Sequence, residues 1–261
     1  MTCIFCGAAG LTKEHVIPRW TGIVLSGSQH DFGGHPPPPA ARIMHLYEPP
    51  PGASVVARNW SKGNPDLQVG AVCGSCNSGW MNGLEGAARP ILTELIQGRR
   101  LNPDSNDQAS LAAWTFKTEL MFQQARPRTV RCIGDGRYSA FYAARVPPVD
   151  VSVWMGATSG GPAVFELATE ATLGFGGEQT TPGFVAVLAF GNLLLILAGP
   201  QDHDADLKAI ETRTEPSVLQ RIWPLRHESI LWGPSVVIDG RELANAPQLI
   251  SPKNTDRAIA L

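Results

Sequence analysis

Cys73-Gly74-Ser75-Cys76-Asn77-Ser78-Gly79-Trp80 is the stretch on which the reading of this chain turns. Two cysteines separated by two residues let one tight turn aim both thiolates at a single ion, and a second such pair completes a tetrahedron of sulfur. That second pair is Cys3-x-x-Cys6, with 66 residues between the two pairs. Gly7 after Cys6 and Gly74 inside the later turn suit the backbone bends of such knuckles. Loop entropy grows only slowly with length, so the long insertion does not oppose the pairing. A structural Zn²⁺ held by Cys3, Cys6, Cys73 and Cys76 is therefore expected. Two disulfides are the competing reading. They lose on compartment, because Met1-Thr2-Cys3-Ile4 has no basic region leading into an apolar core, and a cytoplasmic, reducing setting favours metal. Cys132 stands alone and reads as a small buried hydrophobe.

Beyond the second knuckle the pattern is helical. Trp80, Leu84, Ala88, Ile91, Leu92 and Leu95 recur at three- and four-residue spacing, with Pro90 expected to split the run or to open a second helix. A further helix is expected over Ser110–Gln124, burying Leu111, Trp114, Leu120 and Met121. Between the knuckles, from Gly22 to about Pro65, the chain is rich in Gly and Pro and reads as a loop insertion with at most short strands at Ile43–Tyr47 and Ser54–Ala57. From residue 128 onward short strands are expected at Tyr138–Ala144, Val149–Met155, Ala163–Leu167, Phe184–Phe190, Leu193–Ala198, Ile222–Leu225 and Ser235–Ile238. Gly191-Asn192 carries the signature of a two-residue type II′ hairpin. The expected organisation is α+β: a zinc-bound module over 1–100 with its insertion at about 22–65, a helical connector over 101–127, and a β-rich domain over 128–261.

Composition narrows the class. A hydrophobic fraction of 43% in 261 residues supports a packed core and excludes global disorder. The net charge of −2 is not that of a bulk nucleic-acid binder, and residues 1–100 hold eight basic against six acidic side chains, too small a bias to decide. Phe184–Ala198, the longest apolar run, is too short for a membrane-spanning helix, so no membrane partner is expected.

Between the knuckles lies Leu11-Thr12-Lys13-Glu14-His15-Val16-Ile17-Pro18, and Asn77 follows the last cysteine. These two segments, in this order and framed by the cysteines, resemble the HNH family of nucleases, whose ββα-metal fold can carry an embedded zinc ribbon. The resemblance covers about a third of the chain. Trp80, Met81, Leu84 and Glu85 also resemble a helix start that recurs in bacterial members. The resemblance implies an endonuclease hydrolysing phosphodiester bonds, with DNA the expected substrate and nucleic acid the partner. His15 would be the general base, since imidazole as a side-chain type changes charge near neutral pH. Glu14 and Asn77 would be oxygen ligands to one catalytic Mg²⁺ or Mn²⁺. The zinc would stay structural, since four thiolates leave no open position.

Two departures stand out. The family's middle Asn has no clear counterpart, and Asn64, Asp66 and Gln68 are the candidates. Adjacent strand residues point to opposite faces, so Glu14 and His15 can serve one site only if the chain turns there. Taken singly, a Glu-His pair is commonly a solvated carboxylate beside a satisfied imidazole, and an Asn after a knuckle a helix N-cap. The alternative function is accordingly a catalytically inactive, zinc-stabilised module that binds nucleic acid or protein. His30, His35, His45, His203 and His227 lack ligand spacing and read as surface residues. Trp114, Trp154, Trp223 and Trp232 read as core or interface. Asp202, Asp204 and Asp206 read as a solvated acidic turn.

Overall fold

A computed structural model describes residues 1–27, 43–46, 58–60, 67–99, 101–159, 163–174, 180–202, 218–225, 229–230, 232 and 236–250. The chain is mixed α+β, with a helical region beside a large, mainly antiparallel sheet. In chain order it runs β1 (Leu11–His15), α1 (Arg19–Gly27), β2 (Ile43–Leu46), β3 (Arg58–Trp60), β4 (Gln68–Cys73) and a single turn α2 (Gly74–Cys76). There follow α3 (Asn82–Ile96), α4 (Ser105–Ala125), α5 (Gly136–Ala144), β5 (Ser152–Ser159), β6 (Val164–Gly174), β7 (Thr180–Phe190), β8 (Leu193–Pro200), β9 (Leu219–Trp223) and β10 (Val237–Asp239). A 3₁₀ segment, Leu243–Ile250, closes the described chain.

β1 and β4 form a two-stranded antiparallel ribbon. The large sheet has the order β10-β5-β8-β7-β6-β2-β3, with β9 sharing the outer edge of β5. β2 adds to β6 in parallel, so a strand from between the two knuckles completes the sheet. The expected strand at Ser54–Ala57 lies outside the described residues.

The apolar run 184–198 is legible in the way this sheet is buried. Ala186, Leu188, Phe190, Leu193, Leu195 and Leu197 face a core that also holds Trp114 and Phe116 of α4. Val185, Val187, Ala189, Leu194 and Ile196 face a second core closed by Leu243, Ala246 and Ile250 of the 3₁₀ segment. Side chains alternate across a strand, so a strand covered on both faces must be apolar throughout. Gly191 takes φ +58° in the two-residue turn while Asn192 does not have positive φ, as a type II′ hairpin requires.

α4 begins at an Asp104–Asp107 capping box, earlier than the apolar pattern alone indicates. Its side chains are buried almost continuously from Leu111 to Gln123, because the helix packs against α3 and β4 on one side and β7 and β9 on the other. A helix covered all round needs no polar face.

Two expectations are corrected. Residues 136–144 form the helix α5 and not a strand: Tyr138 and Phe141, three apart, turn inward together, and Phe141 packs edge-on to Phe116 at 5.3 Å. Gly136–Ala144 contains no β-branched residue to favour a strand. Pro90 neither splits nor opens a helix; α3 runs through it. Both Pro90 and Gly86 are exposed, so water can meet the carbonyl that proline leaves without a donor. No helix of the described residues is long and apolar enough to cross a membrane.

Candidate functional site

The first knuckle is a tight loop in which Gly7 donates to the Cys3 carbonyl at 2.9 Å, with Gly7 at φ +73°. The second is the end of β4 running into α2. They meet because Leu11 on β1 pairs with Cys73 on β4, and Ile4 donates to Ala71 at 3.0 Å. Phe5 in the first knuckle then packs edge-on against Trp80 at 5.0 Å, which seats the loop on the helix that follows the second.

All four Sγ atoms of Cys3, Cys6, Cys73 and Cys76 lie within 4.8 Å of one another, and Cys6 and Cys73 are 3.5 Å apart. Zinc–sulfur bonds of about 2.3 Å in a tetrahedron set sulfurs about 3.8 Å apart, so the group fits a metal; a disulfide would need about 2.05 Å. All the cysteines are free thiols, and Cys132 is buried as expected. Burial opposes ionisation of Cys3, but backbone N–H groups of Cys6, Cys73 and Phe5 outweigh it and bring the thiol down to about 7. Burial pushes Cys76 up to about 12, with Cys6, Cys73 and Cys3 adding to the rise. Thiols this close resist ionising together unless a cation joins them. Among the described residues no other group of three His, Cys, Asp or Glu side chains is gathered in this way.

Beside the cluster opens a cavity of about 410 Å³, lined by Glu14 and His15 from the end of β1, Pro18 and Arg19 from the turn into α1, and Asn77, Ser78, Asn82 and Glu85 from the helix after the second knuckle. The ribbon is bulged just before the site. Thr12 faces Val72 and Glu14 faces Val69, so β4 spends one extra residue opposite Lys13. Although Glu14 and His15 are neighbours, β1 ends at His15 and both side chains border the one cavity.

His15 Nε2 lies 3.0 Å from Nε of Arg19 and 2.9 Å from Nε2 of Gln68. A guanidinium N–H can only donate, so Nε2 is the acceptor and the ring proton sits on Nδ1. Of the candidates for the missing middle Asn, Gln68 is in contact with His15, and Asn64 and Asp66 lie outside the described residues. Asn77 donates through Nδ2 to Thr12 Oγ1 at 3.2 Å, and Thr12 donates to the Val72 carbonyl at 3.2 Å. The amide is thereby oriented by the ribbon, and Oδ1 is the end left for the cavity. Asn77 is no N-cap, since it begins a widened helical turn, Asn77–Met81, that kinks at Gly79 before α3.

Glu14 keeps only 7% of its surface exposed. Burial pushes its carboxyl up to about 7, against the pull of the Lys117 ammonium and with a further push from Glu85. Lys117 reaches the site from α4, wholly buried, and donates to Glu85 Oε1 at 2.8 Å. Sequence reading named Glu85 only as part of a helix start and missed Lys117. The available signal was a lysine set among Trp114, Phe116, Leu120 and Met121, where a helix has no surface to give it.

Of the remaining expectations, Trp114, Trp154 and Trp232 are buried, and Trp223 is partly so. His45 falls on β2, while His30, His35, His203, His227, Asp204 and Asp206 lie outside the described residues. Comparisons with family models, with curated proteins and with solved structures each find no match to this chain.

Proposed function

We propose that the chain is a metal-dependent endonuclease of HNH type, hydrolysing phosphodiester bonds with DNA as its expected substrate. The observation that carries this reading is the shared cavity: the adjacent Glu14 and His15 and the distant Asn77 border one space beside the four-cysteine group. In this reading His15 Nε2 takes the proton of the attacking water once Gln68 has given up its contact with that nitrogen. Arg19, exposed and hydrogen-bonded to the same nitrogen, turns to the incoming phosphate and releases the lone pair. Glu14 and the Asn77 Oδ1 would hold Mg²⁺ or Mn²⁺, hard ions that suit oxygen donors. Such an ion, when bound, supplies charge stabilisation at the phosphate and the leaving oxygen. Zinc would brace the ribbon and the helix start, closed to substrate by its four thiolates.

Cleavage of supercoiled plasmid with Mg²⁺ or Mn²⁺ tests the reading. Wild type should nick and linearise the plasmid, and His15→Ala should be slower by about 10²-fold or more while keeping zinc and DNA binding. Activity unchanged in His15→Ala would overturn the assignment of the base.

One observation favours a second reading. The lone pair of His15 Nε2 already accepts from Arg19 and Gln68, as expected of a site kept for structure in a zinc-stabilised module that binds nucleic acid or protein. Binding of nucleic acid or a protein partner without cleavage of any DNA or RNA, with either metal, would favour that module.

A further inference from the structure

A buried lysine behind a candidate cation site calls for an account. Taking an ammonium out of water is costly unless it is paired, and a pair of apolar residues in place of the ion pair is often neutral or better for stability. Lys117 has no exposed surface, yet it meets Glu85 Oε1, on the border of the cavity, at 2.8 Å. It acts electrostatically on Glu14 as well. Two carboxylates from different elements, Glu14 of β1 and Glu85 of α3, border the cavity, and the Lys117 ammonium of α4 pairs with one and acts on the other. With both carboxylates ionised the three groups carry a net charge of about −1 in a partly desolvated place, which a divalent ion compensates.

Two further observations point the same way. Glu14 is more than nine-tenths buried and borders the cavity, and the hydrogen bond it accepts comes from the backbone of His15. Glu85 is only partly exposed, and its Oε1 is tied to Lys117, so the carboxylate has a fixed orientation. A ligand held from behind in this way loses little freedom on binding an ion.

We infer that Glu85 is a further oxygen ligand of the divalent cation held at Glu14 and Asn77, and that Lys117 is its positioning residue. The inference rests on the metal site of the nuclease reading and adds to it a ligand and its support. Glu14, His15 and Glu85 are not gathered as tightly as the four cysteines. Mg²⁺ does not require that: it binds through one or two carboxylates and keeps several waters, and the cavity has room for them.

The experiment is Mn²⁺ binding to the full zinc-loaded chain, read as loss of the free-Mn²⁺ signal in electron paramagnetic resonance, without any substrate. Wild type should bind one Mn²⁺ in addition to zinc. Glu85→Gln, which keeps an oxygen acceptor for Lys117, should weaken that binding by at least about tenfold, as Glu14→Gln should. Glu85→Gln also changes the local charge, so the charge-neutral pair Glu85→Met with Lys117→Met separates ligation from field. It removes one carboxylate and one ammonium, leaves neither member of the pair without the other, and should lose affinity to a similar extent. It also serves if Glu85→Gln fails to fold, with zinc content and circular dichroism as the checks.

Wild-type affinity in the double variant would overturn the inference, as would a Glu85→Gln protein that binds like wild type while Glu14→Gln does not. Absence of Mn²⁺ binding by wild type would overturn it too. The cleavage assay fails independently. A protein that cuts plasmid but ignores Glu85→Gln keeps the nuclease reading and loses this ligand, whereas one that binds Mn²⁺ through Glu85 and cuts nothing keeps the site and loses the reaction.

Discussion

The Nε–H of Arg19 points at Nε2 of His15 across 3.0 Å, so the exposed cation at the start of α1 donates to the imidazole at the end of β1. A cation so placed can leave the ring for a phosphate oxygen without any change in the backbone.

If Arg19 makes that move, it contributes one phosphate contact. Arg19→Ala should then reduce the slope of log binding constant against log salt by about 1, weakening DNA binding alike for all sequences. Fluorescence anisotropy over a salt series measures the slope. An unaltered slope would confine Arg19 to holding His15.

Zinc content is the second expectation. Elemental analysis should find one zinc per chain, and Cys73→Ser should lose it, because the remaining three thiolates and the β4–α2 junction no longer close the tetrahedron. Chelation should melt the ribbon, with near-ultraviolet circular dichroism reporting Trp80 as Phe5 leaves it. Protein purified without chelators and free of zinc would sink the cluster.

Lys117 and Glu85 should be strongly unequal to their parts. Glu85→Ala leaves a buried ammonium without its carboxylate and should cost about 3–5 kcal/mol, toward the lower end because Glu85 retains 19% exposure. Removing both charges together should cost much less. Urea unfolding of the two single variants and the double variant gives the coupling; additive losses would show that the pair does not interact.

A pH dependence follows from a second buried group. Glu119 on α4 and Glu166 on β6 lie fully buried around Arg126, which pairs with Glu166 and donates to the Ala168 carbonyl at 3.1 Å. Burial pushes Glu119 up to about 7 against the pull of Arg126, with Gln123 and Glu166 hydrogen-bonded to it, and drives Glu166 well above the carboxylate range; the Cys132 thiol, itself raised by burial, also faces the group. The folded state therefore holds protons that the unfolded chain releases at lower pH. The associated stability is complete below the ordinary carboxylate range and is lost as pH rises through about 7. Wild type should lose more stability than Glu119→Gln between pH 5 and pH 8, read as urea midpoints. Parallel profiles would refute a proton held at this place.

What the sequence disclosed and what it hid have a common physical basis. Cys3, Cys6, Cys73 and Cys76 were readable because a two-residue spacing encodes its own geometry, whatever the rest of the chain does. The Gly191-Asn192 hairpin was readable for the same reason. Glu85 and Lys117 were not, because they lie on separate helices and become neighbours only through the packing of α3 on α4. The strand expected at Tyr138–Ala144 is a helix because aromatic side chains suit either element, and contacts with Trp80 and Phe116 from elsewhere in the chain decide between them. The candidate site was half legible: its ribbon-borne residues are marked by the cysteines beside them, and its helix-borne charges carry no local mark.

The parallel pairing of β2 with β6 ties the order of folding to the metal. β2 and β3 are delivered from inside the loop that Cys6 and Cys73 close, and they form one end of the large sheet. With the clasp shut, both ends of that loop are anchored and the strands search a small volume for their edge; with it open, the first knuckle is a loose end and the search widens. Amide protons of β2 should therefore exchange faster in chelated protein than those of β7 and β8, so that loading one ion at the ribbon is felt first at the far margin of the sheet.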